Sequence, residues 1–157
     1  MEMNDQTKVQ ILLTALERRY ESIENIRERV YNISIWTLGI FLAAAGWIVQ
    51  GGIRLSLSGK IFLSGVVVFA LGAILFYIKD LEKGFKNQFQ VAIRIEKLLR
   101  FYEPGFFGSS EKELYPQEWG QIGAESGRGR FFSSTYLLLC IGAATLIAAT
   151  ALSGLLF

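Results

Sequence analysis

Histidine is absent from this chain and cysteine occurs once, at Cys140. Those two facts remove a disulfide framework, a Cys/His zinc knuckle and a Cys–His nucleophile pair. Cys140 lies in an apolar run, where it reads as a small apolar residue facing lipid or another helix. Proline occurs only at Pro104 and Pro116. The net charge of +2 names no partner. The opening MEMNDQTK is polar and acidic, which predicts no cleavable signal peptide. The most telling absence is charge itself. Ile33–Gln50, Ile61–Ile78 and Phe131–Phe157 contain no Asp, Glu, Lys or Arg.

What fills those runs is apolar. The 157 residues are 52% hydrophobic with a mean hydropathy of +0.36. Eighteen residues of helix span roughly 27 Å, about the thickness of a hydrocarbon core. Ile33–Gln50 and Ile61–Ile78, joined by Gly51–Lys60, therefore read as a transmembrane hairpin, and Phe131–Phe157 as a third span. Trp36 and Trp47 sit near the two ends of the first span, as an aromatic belt would place them. The expected fold class is an all-α membrane protein, with three transmembrane helices and a cytoplasmic helical bundle. Its parts are an N-terminal amphipathic helix (1–32), the hairpin (33–79), a cytoplasmic helix with an irregular segment (80–130) and the third transmembrane helix (131–157).

Asp5–Asn32 carries Val9, Leu16, Ile23 and Val30 at seven-residue intervals, with Leu12, Tyr20, Ile26 and Ile33 beside them. This makes one apolar stripe close to a heptad repeat. Glu17, Arg18, Arg19, Glu21, Glu24, Glu28 and Arg29 fall mostly on the other faces. No Gly or Pro separates the stripe from the first span, which predicts one continuous helix. Asp80–Tyr102 has a matching stripe of Leu81, Phe85, Phe89, Ala92, Leu99 and Tyr102, with Ile95 beside it. The two striped helices are expected to pack together, Gly84 being the weak point of the second. Pro104-Gly105 is expected to end that helix. In the segment that follows, Ser110–Glu113 reads as a capped helical turn and Gly123–Gly129 as its loosest part.

Basic residues near the span ends number seven on one side (Arg27, Arg29, Lys79, Lys83, Lys86, Arg128, Arg130) against two in the hairpin loop (Arg54, Lys60). That bias places the N-terminus in the cytoplasm and the C-terminus on the far side. Small residues recur at helix-packing intervals, among them Gly39 and Ala43, and Gly65 and Gly72. They suit packing inside one hairpin or between copies of the chain. In the third span, Ser134, Gly142, Thr145, Ala149 and Ser153 fall roughly on one face. That face either packs, with its hydroxyls bonding back to the helix, or lines a pore.

No span holds an ionisable residue, and no catalytic constellation is visible, so an enzyme is not expected. Glu24 and Glu28 are four apart, but with Arg27 and Arg29 adjacent they read as solvated charges, not a metal pair. No metal or cofactor is expected. The second cytoplasmic helix carries six basic residues against three acidic ones. Lys79, Lys83 and Lys86 suit lipid headgroups. Arg94, Lys97 and Arg100, about 23–32 Å past the end of the span by helix rise, are too distant for that. They either pair with acids of the N-terminal helix or, beside Tyr102, bind an anionic ligand such as a nucleotide or short oligonucleotide.

Glu17-Arg18-Arg19-Tyr20-Glu21 and Ile26-Arg27-Glu28-Arg29-Val30 lead into a Trp- and Gly-bearing hairpin, and a cytoplasmic helix follows. This plan, over residues 8–102, resembles the small helical membrane effectors of bacterial anti-phage defence, including SLATT-type two-span effectors and the membrane effector of the Hailong system. The third span is an addition to the two-span plan. The resemblance implies a homo-oligomeric channel of the bacterial inner membrane that disrupts membrane potential. Its gating would depend on a nucleotide, or short single-stranded DNA, made by a partner nucleotidyltransferase. A second expectation, from the stripe alone, is a membrane anchor or scaffold that recruits a soluble partner through its cytoplasmic helices.

Overall fold

The computed structural model describes residues 4–104, 115–118 and 130–154. It is all-α: helix α1 spans Asp5–Gln50, α2 spans Leu57–Leu98 and α3 spans Arg130–Leu152. All three are long and apolar enough to cross a membrane. The chain divides into two units, Met1–Glu28 with Glu82–Gly127 and Arg29–Leu81 with Arg128–Phe157. The division falls inside α1 and inside α2, each of which is one unbroken helix. The expected turn at Ser110–Glu113 and the loose part at Gly123–Gly129 lie outside the described residues.

The first unit is built on two helical arms. Asn4 starts α1: its side chain accepts from the Gln6 amide at 3.4 Å and its carbonyl from the Lys8 amide at 3.1 Å. Leu16 and Ile23 of α1 bury against Ala92, Ile95 and Leu99, with Leu12, Phe85 and Phe89 covering the seam. The charged side chains of the α1 arm occupy the outside: Glu17, Arg18, Glu21, Glu24, Arg27 and Glu28 are all exposed. The stripe meets its partner from Leu12 onward, but Val9 is exposed, with Ile11 and Leu13. The α1 arm is about seven residues longer than the α2 arm, so its first turns run past the end of α2. Gly84 does not break the helix; the space a methyl would fill lies 3.8 Å from Ile26 Cδ1.

Helix α2 stops at Leu98, before the expected end at Pro104. Arg100 adopts a left-handed φ of 60°. The Phe101 amide then donates to the Glu96 carbonyl and the Arg100 amide to the Lys97 carbonyl, both at 3.1 Å. This is a Schellman stop with arginine where glycine is usual.

The second unit packs Phe41, Ala45 and Ile48 of α1 and Val67 of α2 against Ala143, Leu146 and Ala149 of α3. The most apolar window of α3 is 39% buried, against 22% for α1 and 11% for α2, so α3 is the best-covered helix. Gly142 allows the close approach. A Cβ there would stand 2.7 Å from Leu38 Cδ1 and 3.5 Å from Phe41 Cδ2. The exterior is apolar: Trp36, Ile40 and Trp47 on α1, Leu137 and Ile141 on α3, and a row of Phe62, Phe69 and Phe76 on α2, 74–80% exposed. Exposing a side chain of that size to water forfeits about 1.5–3 kcal/mol each, which lipid does not exact. The unit is that of a membrane protein.

The hairpin turn is shorter than expected, since α2 begins at Leu57 and not near Ile61. Ser56 caps it, its Oγ accepting from the Gly59 amide at 3.2 Å and its carbonyl from the Lys60 amide at 2.9 Å. Gly52 supplies the left-handed turn, at φ 56°. Lys60 Nζ donates to the Ala151 carbonyl at 2.9 Å, a cation on the last turn of α3.

Candidate functional site

Glu96 lies at the spacing of the α2 stripe, four residues after Ala92 and three before Leu99. Helical geometry therefore turns this carboxylate inward, where it is only 4% exposed. Tyr20, from the stripe of α1, donates its hydroxyl to Oε1 of Glu96. Tyr102 donates to Oε2. The Schellman stop makes the second bond possible, because it reverses the chain just after α2. Tyr115 closes the group. Its amide donates to the Phe101 carbonyl at 3.0 Å, and its ring lies 5.5 Å from that of Phe101 and 6.0 Å from that of Tyr102.

These residues surround a cavity of about 270 Å³, lined by Tyr20, Phe89, Ala92, Ile93, Glu96, Tyr102 and Tyr115. Burial, and then the Glu96 carboxylate, push the Tyr20 and Tyr102 phenols above their ordinary value of 10.0. Both remain neutral hydrogen-bond donors across the physiological range. Sequence reading passed over Glu96 as one acid among three on a solvated helix. The signal was its register: a carboxylate occupies a slot where the stripe calls for an apolar side chain.

The residues singled out from sequence divide between two environments. Tyr102 belongs to the Glu96 cavity. Arg94 and Lys97 are exposed, and among the described residues neither forms an ion pair with an acid of α1. Arg100 is exposed and stands 3.6 Å from Glu103. Arg19 Nη1 bridges the arms instead, donating to Gln88 Oε1 at 2.7 Å.

The five residues of the third span also divide. Gly142, Ala149 and Ser153 are buried, whereas Ser134 and Thr145 are exposed. The hydroxyls bond back to their own helix: Ser134 to the Phe131 carbonyl at 2.9 Å, Thr145 to that of Ile141 at 2.9 Å and Ser153 to that of Thr150 at 2.7 Å. Of the expected face, Gly142 and Ala149 thus serve packing within the chain. By contrast, Gly39, Gly46, Gly65 and Gly72 have nothing within 4 Å of where a Cβ would stand. Among the described residues, no three His, Cys, Asp or Glu side chains converge as metal ligands.

In comparisons with protein families, curated proteins and solved structures, nothing matches the chain, so its own residues must carry the functional reading.

Proposed function

We propose that this protein is a homo-oligomeric channel of the bacterial inner membrane, gated by a ligand at its first unit. The observation that carries the reading is the continuity of α1 and α2, each of which belongs to both units as a single helix. A hydrogen-bonded helix resists bending, so a shift imposed on its charged part is felt along its apolar part. The open small-residue positions support self-association, because copies can approach closely at Gly39, Gly46, Gly65 and Gly72. The basic bias supports a cytoplasmic first unit. Arg94 and Lys97, outward and free of acids from α1, suit an anionic signal such as a nucleotide or short single-stranded DNA supplied by a nucleotidyltransferase. Loss of membrane potential through such a pore would suit an effector of anti-phage defence.

The test is ion flux from liposomes holding the purified chain, with and without a panel of nucleotides and short oligonucleotides. A conductance that changes with one ligand, and loses that response in an Arg94→Ala/Lys97→Ala variant, is the expected result. Silence under every ligand condition, including none, overturns it. The second reading, an anchor for a soluble partner, draws on the uncovered Val9, Ile11 and Leu13 at the start of α1. A stoichiometric cytosolic partner captured without any conductance would favour it.

A further inference from the structure

We infer that the cavity around Glu96 is a binding site for a small alkylated ammonium ion. The inference does not depend on whether the spans conduct. Its first ground is charge. The Glu96 carboxylate is nearly sealed from solvent, and both oxygens accept from phenols that supply hydrogen bonds but no positive charge. Among the described residues no Lys or Arg pairs with it. A buried carboxylate without a counter-ion is costly, and a cation beside it removes that cost.

The second ground is the wall. Tyr20, Phe89, Tyr102 and Tyr115 bring four aromatic rings to one cavity. Their faces carry negative potential and attract cations. The Tyr102 and Tyr115 rings are inclined at 60°, so they form a corner and not a flat stack. The third ground is size. About 270 Å³ exceeds what one or two waters need and admits a compact organic ion; a cavity of about 150 Å³ holds benzene.

The donor inventory narrows the ligand class. The Tyr20 and Tyr102 hydroxyls are committed to the carboxylate, and no Lys or Arg is among the described residues that line the cavity, which disfavours a phosphate. An alkylated ammonium asks for no donors, only for negative potential and apolar contact. The cavity is thus complementary to a cation, whereas the outward Arg94 and Lys97 suit an anion.

Tetramethylammonium chloride, titrated into the full chain in detergent, is the direct probe, read by calorimetry or ligand-observed NMR. The neutral isostere tert-butanol is titrated alongside. We expect saturable tetramethylammonium binding with a Kd of about 1 mM or below, no saturable tert-butanol binding, and at least a roughly tenfold loss in Glu96→Gln, checked for folding by circular dichroism. Tyr115→Leu, which removes one ring, should weaken binding in the same direction. If Glu96→Gln does not fold, the contrast between the two probes on the wild-type chain decides. Absent tetramethylammonium binding, equal binding of both probes, or unchanged binding in a folded Glu96→Gln overturns the assignment. None of these readouts involves flux, so a silent liposome assay leaves the site standing and an empty site leaves the channel reading standing.

Discussion

Arg100 holds a backbone conformation that costs a side-chain-bearing residue about 1 kcal/mol and costs glycine almost nothing. Its ion pair with Glu103, 3.6 Å long and more than half exposed on both sides, returns little. Arg100→Gly should therefore stabilise the first unit by about 0.5–1 kcal/mol, read as a shift in the denaturation midpoint. If the same variant loses its response to nucleotide in the flux assay, the Arg100 guanidinium belongs to the ligand face. A second consequence at this scale concerns pH. The Tyr20 and Tyr102 phenols hold their protons more tightly in the folded chain than at the unfolded value of 10.0. Their contribution is complete below pH 10. Above it the unfolded state sheds the protons first, so stability falls as pH rises toward the folded values. Thermal denaturation from pH 9 to 12 should show this decline, shallower in Tyr20→Phe. Neither effect was visible in the sequence. The stripe assigned Tyr20 and Tyr102 to apolar faces, and nothing in a linear spacing says that two phenols 82 positions apart meet one carboxylate.

Among the elements, the helices themselves were largely legible. The 46-residue α1, its continuity across Asn32, and the meeting of Leu16 and Ile23 with Ala92 and Leu99 follow from hydrophobic period and the lack of a breaker. Helix ends were read less well. Ser56 caps α2 inside the stretch Gly51–Lys60 that the sequence reads as turn, and a backbone motif independent of proline stops α2 at Leu98, short of Pro104. The glycines mark a further division. Gly142 is packed within the chain, while Gly65 and Gly72 face open space. Gly142→Leu should overpack Leu38 and Phe41 and cost about 1–3 kcal/mol. Gly65→Leu should leave folding intact but shift the chain toward smaller assemblies if copies meet at that face. Thermal denaturation together with light scattering in detergent separates the two; unchanged assembly in Gly65→Leu would remove that face from the oligomer contact.

Taken whole, the molecule presents two surfaces suited to two solvents, a charged exterior on the first unit and an apolar one on the second. That partition was set by the amino-acid sequence alone. Three runs without charge, a 3.6-residue period in the apolar residues and the scarcity of proline are local properties, and the hydrophobic effect acts on them whatever the chain later touches. Only the tertiary structure decided which stripe residue became a buried carboxylate, which glycines were filled, and that Tyr20, Glu96, Tyr102 and Tyr115 line one cavity. Period selects the face a side chain occupies along its own helix. It does not say which partner lies opposite, nor where a left-handed residue will turn the chain back, and the cavity depends on both.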